Sequence, residues 1–229
     1  MREFFFSTRL YKQLPTTEIA IQEQLEILEK LVKKISGIDH IFKTWFVNNA
    51  TSSKPPLDYP FPSESAYKYL FNRKKEDEYK GFLLWNGEDK VTFSSLNFDS
   101  FNISMSFYKE LTNNQVIKLF KIFLELVKFQ YIYLNNNFFA DINIFPHRLS
   151  TTSICYVPKI IDENQIPHLY QKIEINNELN QGMILIFDEN LFDESDSMKK
   201  KIQENSIALV DLNLIPEAEL NSDFFEIDE

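Results

Sequence analysis

Cys155 is the most intrinsically reactive side chain in this 229-residue sequence and its single cysteine. A catalytic thiolate needs a histidine or other cation to lower its pKa and accept its proton. His147 and His168 flank it in sequence, yet Cys155 lies inside the apolar run Ile154-Cys155-Tyr156-Val157, the setting of an inert core thiol. One cysteine also excludes an intrachain disulfide and a cysteine-built metal cage. His40, His147 and His168 form no His-x-x-x-His pair, so each is read as a structural or surface residue. Asp141-Ile142-Asn143 and Asp188-Glu189 can be written as metal ligands, but so can many acidic pairs in a chain holding 34 Asp and Glu. Gly37, Gly81, Gly87 and Gly182 are isolated, which excludes a phosphate-cradling glycine loop. No serine sits in a Gly-x-Ser-x-Gly elbow. The expectation is a chain with no catalytic residues, no metal and no cofactor. A metal-dependent hydrolase built from dispersed carboxylates is the enzymatic alternative.

Binding offers more than catalysis. Trp45, Tyr59, Phe61, Tyr67 and Trp85 supply either core or a contact patch, because aromatics give large contact area at small entropic cost. Charge is divided unevenly along the chain. Residues 1 to 187 balance 21 Lys and Arg against 21 Asp and Glu, whereas residues 188 to 229 hold 13 acids against Lys199, Lys200 and Lys201. The net charge of -10 therefore resides in the C-terminal segment, which disfavours direct nucleic-acid binding and favours a basic protein partner. A solvated acidic tail that aids solubility accounts for the same charge. The candidate partner-binding residues are Tyr59, Phe61, Asp188, Glu189, Asp193, Glu194 and Asp196.

Several elements must position these side chains. An apolar share of 44% and an aromatic share of 15% imply a packed core. The absence of any run of about 20 apolar residues predicts a cytoplasmic chain without a membrane span. Phe4 to Leu10 reads as a strand. From a Thr16 or Thr17 cap, Ile21, Leu25, Leu28, Val32 and Ile35 recur at helical spacing until Gly37 stops the helix. His40 to Val47 reads as a strand, and Asn48 to Pro62, with four prolines, as a loop that joins no ladder. Ser63 or Ser65 caps a second helix carrying Ala66, Tyr67, Leu70 and Phe71.

Gly81 to Trp85 and Val91 to Leu96 flank Asn86-Gly87-Glu88-Asp89-Lys90, a hairpin signal. Phe101 to Phe107 alternates apolar with Asn and Ser as a third antiparallel strand. A second long amphipathic helix spans Asn114 to Phe129 and is expected to be the most buried. Tyr131 to Leu134, Phe138 to Ile144 and Ile154 to Val157 are ambiguous. Met183 to Phe187 and Ile207 to Leu212 read as strands around a weak helix at 197 to 204. The sum is a single α+β domain over residues 1–229, an antiparallel sheet with two long amphipathic helices packed on it, ending in an acidic segment at 188–229.

The order of these pieces resembles the immunity protein 52 family of bacterial polymorphic-toxin systems. The residues that carry the resemblance are the helix after Leu14-Pro15, Phe42-Lys43-Thr44-Trp45-Phe46, Ser65-Ala66-Tyr67, and Gln181-Gly182-Met183-Ile184-Leu185-Ile186-Phe187. The resemblance implies an α+β antidote that binds a cognate toxin, a restriction-endonuclease-type DNase effector, and blocks it by stoichiometric occlusion in the cytoplasm of the producing cell. It implies no catalytic residues. A regulatory or scaffold subunit of a bacterial assembly fits the same residues.

Overall fold

The structure is a computed structural model that describes residues 2–47, 59–77, 80–220 and 222–225. Its centre is a ten-stranded antiparallel sheet in the order β3-β2-β4-β5-β6-β1-β7-β8-β10-β9. The strands are β1 (Phe4–Leu10), β2 (Trp45–Val47), β3 (Pro60–Phe61), β4 (Phe82–Trp85), β5 (Ser94–Phe98), β6 (Ile103–Phe107), β7 (Phe129–Asn135), β8 (Ile154–Val157), β9 (Gln171–Asn176) and β10 (Gln181–Ile186). The helices are α1 (Glu18–Ile35), α2 (Glu64–Glu76), α3 (Asn113–Leu124), α4 (Asn137–Asp141) and α5 (Asp196–Asp211). The expected α+β class and antiparallel sheet are found. Among the described residues no helix is long and apolar enough to cross a membrane.

Each long helix starts where its cap places it. Thr17 accepts from the Ala20 amide, Ser63 from Ala66 and Ser195 from Met198, while Thr112 and Gln115 close a reciprocal capping box on α3. The row Val47, Leu84, Leu96, Met105, Phe6 and Leu134 runs across six strands on one sheet face. Helices α1, α2 and α3 bury that face, with Phe6 packed edge-on against Phe120 at 5.0 Å. A second core lies on the opposite face, where α4 and α5 cover only β7, β8 and β10 through Phe139, Met198, Ile202 and Leu209. Strands β8 and β10 are thus buried on both sides, which is why their sequences are continuous apolar runs.

Four expectations are corrected. His40 to Val47 is not one strand, because the Asp39 side chain accepts the Ile41 amide and caps a 3-10 turn over His40–Phe42 before β2 begins. Pro60 and Phe61 do join the ladder, pairing with β2 at the sheet edge, where a proline removes no required hydrogen bond. Residues 48–58 of that loop lie outside the described residues. The helix drawn to Phe129 stops at Leu124, since Asn180 donates to the Leu124 and Val127 carbonyls, both at 2.7 Å, and accepts the Phe129 amide at 3.0 Å. The run Ile207 to Leu212 continues α5, because its helical face buries Leu209 and leaves Ile207 exposed, whereas a strand would have buried both.

The hairpin after Trp85 is also longer than its Asn-Gly pair suggests. Asn86 accepts from the Glu88 and Ser94 amides and donates to the Ile41 and Thr92 carbonyls, so β5 starts only at Ser94. Helix α5 and the buried Leu191 and Phe192 fold much of the acidic C-terminal segment into the domain.

Two outcomes test this packing. A Cβ on Gly182 would lie 2.1 Å from the Val157 carbonyl oxygen, whereas one on Gly37 meets nothing nearer than 3.8 Å. Gly182→Ala is therefore expected to cost about 1–3 kcal/mol or more, and Gly37→Ala close to nothing, in urea unfolding. The Asp39 side chain is 7% exposed, and although burial opposes its ionisation, hydrogen bonds from Lys109, the Ile41 amide and Gln115 outweigh it and hold its pKa below the usual value. A depressed carboxylate stabilises the fold above its ordinary pKa of about 4 and ceases to as pH falls through the folded value. Asp39→Asn should thus cost about 1–3 kcal/mol at pH 7, with the deficit shrinking below pH ~4.

Candidate interaction face

The sheet face left bare by α4 and α5 is built from the outward series of five strands. Phe46 lies opposite Trp85, Trp85 opposite Ser95, Ser95 opposite Ser106, and Ser106 opposite Phe5. The Ser95 and Ser106 hydroxyls are 2.8 Å apart, confirming that both project from this side. Leu83, Asn97, Ser104 and Ser7 complete the surface, and all nine residues are half-buried. None of them carries a charge, in a chain where 25% of residues do.

That composition is unusual for solvent-facing strands, which normally show polar and charged residues outward. Depletion of charge together with aromatic enrichment is the compositional mark of the core of a protein interface. Small hydroxyls between the rings keep the surface flat and leave donors and acceptors available at its centre.

Other candidates have different surroundings. The Cys155 thiol is fully buried against Tyr131, and burial pushes its pKa up to about 12. His40 lies 2.8 Å from Asp39, His147 is exposed beside Phe145, and His168 pairs with Glu204 and, through its backbone, with Asn205. Asp141 ends α4 at the surface. Among the described residues no group of three or more His, Cys, Asp and Glu is placed to hold a metal ion.

Of the seven residues singled out for partner binding, Phe61 is 5% exposed and stacks on Tyr67 within the core, while Tyr59 is half-buried and stacks on Tyr69 at 5.8 Å. Trp45 also belongs to the core, its indole donating to the Phe42 carbonyl at 3.0 Å, whereas Trp85 lies on the open face. Asp188 accepts from Lys201, and Asp193 accepts from the Ser195 amide and hydroxyl. Glu194 accepts from Asn136 at 3.1 Å and pairs with Arg2 at 3.0 Å. Glu189 and Asp196 are exposed.

Asn136 directly follows Asn135, which lies opposite Phe5, so the turn holding Glu194 borders one corner of the bare face. Sequence reading noted the Asn and Ser alternation of β6 but not that Phe5, Phe46, Leu83 and Trp85 share its surface. Strand pairing across 100 residues, which periodicity does not carry, brings them together.

No family model matches the chain, and no curated protein matches it either. A solved structure with similarity is the Pseudomonas aeruginosa T6SS protein PA0821, with a TM-score of 0.47 and 8% identity over 89% of this chain and 76% of that one.

The burial of Cys155 has a direct readout. At pH 8 the folded protein should alkylate with iodoacetamide at least a hundredfold more slowly than free cysteine, and guanidinium unfolding should restore the normal rate. A rate near that of free cysteine in the folded state would show an accessible thiol.

Proposed function

We propose that this chain is a toxin-neutralising immunity protein that acts without catalysis, binding a cognate toxin and occluding it in a stoichiometric complex. The observation that carries the reading is the charge-free face of Phe5, Phe46, Trp85, Ser95 and Ser106, which carries three aromatic rings and no charge and, among the described residues, is left bare by both cores. A standard interface buries on the order of 800 Å² per partner, of which this face supplies the centre and the surrounding strand ends and loops the remainder.

The acidic turn at the corner of the face adds the second ingredient. Glu194 at that corner, beside a neutral centre, favours a partner with a basic rim, such as a nuclease cleft, and long-range attraction would speed its arrival. The resemblance of the helix, Trp45, Ala66 and Gly182 segments to the immunity protein 52 family supports the same class.

Ser106 offers a clean test, since its side chain projects away from the helix-covered core. Tagged wild type and Ser106→Arg are purified from the cell that makes the protein, and partners are identified by mass spectrometry. The expected result is a basic, nuclease-like toxin held in equal stoichiometry by wild type. A buried unpaired charge typically costs about 2–4 kcal/mol, so Ser106→Arg should lose that toxin by 30-fold or more while unfolding at the same urea concentration. Equal retention by both proteins would overturn the assignment of this face.

A further inference from the structure

Arg9 follows Phe5 and Ser7 in the outward series of β1, and at this position the surface changes from charge-free to cationic. Together with Arg148, Gln130 and Asn213 it lines a cleft of about 350 Å³, a volume suited to a small ligand. The two guanidinium groups come from positions 139 residues apart in sequence, Arg9 from β1 and Arg148 from the loop before β8. Their meeting in one cleft is a product of the fold.

Each arginine has part of its donor set committed. Arg9 Nη2 donates to the Ala218 carbonyl at 2.9 Å, and Arg148 Nη1 donates to the Ile215 carbonyl at 2.6 Å. These bonds hold residues 215 to 218 against the sheet, helped by the backbone bonds from Leu149 to Pro216 and from Ala218 to His147. A clamp of that kind needs one N–H from each arginine. A guanidinium carries five donors in a fixed fork, so the clamp leaves most of the hydrogen-bonding capacity of both groups unused.

The remainder is not simply solvated. The Arg148 side chain is 17% exposed, and its Nε is buried with no acceptor among the described residues. A buried donor left unmade is costly, and native structures rarely tolerate one. Burial also pushes the Arg9 guanidinium below its usual pKa, opposed by the neighbouring Tyr133. The nearest carboxylate in the cleft, that of Glu217, is 3.9 Å from Arg148 Nη2, beyond hydrogen-bonding distance, and is 65% exposed. It can move aside.

We propose that this cleft is an oxyanion site that takes a phosphate or carboxylate group between the Arg9 and Arg148 guanidinium forks. Either anion can offer a pair of oxygens to the two parallel N–H donors of a guanidinium, and lysine could not replace arginine in that role. Gln130 and Asn213 supply further neutral donors at the wall. Glu217 acts as the resident competitor, and removing its charge should strengthen binding. The site is independent of the docking face and survives if that face has another use.

The test reads the orphan atom itself. The sequence has four arginines, Arg2, Arg9, Arg73 and Arg148, so their Nε–H resonances can be assigned by single substitution in the full-length protein. Inorganic phosphate and acetate are titrated separately, with chloride at matched ionic strength as reference. The Arg148 Nε–H resonance should shift saturably with one of the two anions, and the one that saturates at lower concentration names the source. Glu217→Gln, which alters an exposed side chain outside the core, should tighten that binding roughly fivefold, as expected for loss of a partly screened charge. Arg9→Gln should weaken it by at least as much. An Arg148 resonance that responds to neither anion beyond the chloride reference would overturn the proposal, as would Glu217→Gln leaving the titration unchanged.

Discussion

Strand β1 is hydrogen-bonded on both edges, to β6 through Phe4, Phe5 and Phe6 and to β7 from Phe5 to Leu10. Its two partners lie about 100 and 130 residues further along, so this one N-terminal segment joins the strands that precede α3 to those that follow it. Without β1 the β3-β2-β4-β5-β6 and β7-β8-β10-β9 groups share no ladder. The alternation of β1 also assigns every other strand its two faces. Phe4, Phe6, Thr8 and Leu10 set the side that the helices must cover, and Phe5, Ser7 and Arg9 set the other. Thr8 fixes the arrangement by accepting the Ile103 amide at 2.9 Å in the interior.

Unequal coverage follows from that division. Three helices, α1, α2 and α3, bury the first face, while α4 and α5 cover only the β7-β8-β10 half of the second. The bare half carries small hydroxyls and rings and ends, beyond Ser7 of β1, at the cleft lined by Arg9 and Arg148. Among the described residues no helix covers this charge-free surface, and exposed patches that carry aromatic rings mark interaction sites. The acidic turn around Glu194, tied down by Arg2 and Asn136, gives this surface an electrostatic border. The proposed docking role rests on this combination.

Much of the architecture was legible from local pattern. The 3.6-residue period of Ile21 to Ile35 and the Thr17 cap located α1, and the alternation through Ile103 to Phe107 marked a one-sided strand. The apolar run from Met183 reads as a strand and is one, β10, whereas Ile154 to Val157, ambiguous by pattern, is a strand buried on both faces. What escaped local reading was decided by distant partners. Asn180 ends α3 from 56 residues away, Asn86 delays β5 by gathering four backbone groups, and polar β9 is a strand only because β10 pairs with it. The interaction face escaped for the same reason. Each strand showed a few unremarkable Ser, Asn or Phe residues, and the pairing register alone makes them one charge-free surface.

The most direct test of the docking face uses the buried state of Cys155, which leaves the protein without a competing thiol at its surface. Ser106→Cys places a probe at the centre of the face, and Lys200→Cys, at a side chain 76% exposed on α5, serves as a reference away from it. Maleimide labelling rates are measured for both variants alone and in the complex recovered from the producing cell. The account predicts strong protection at position 106 in the complex with position 200 unchanged. Equal labelling at position 106 in the free and bound protein would contradict it, and would move the interface to another part of the surface.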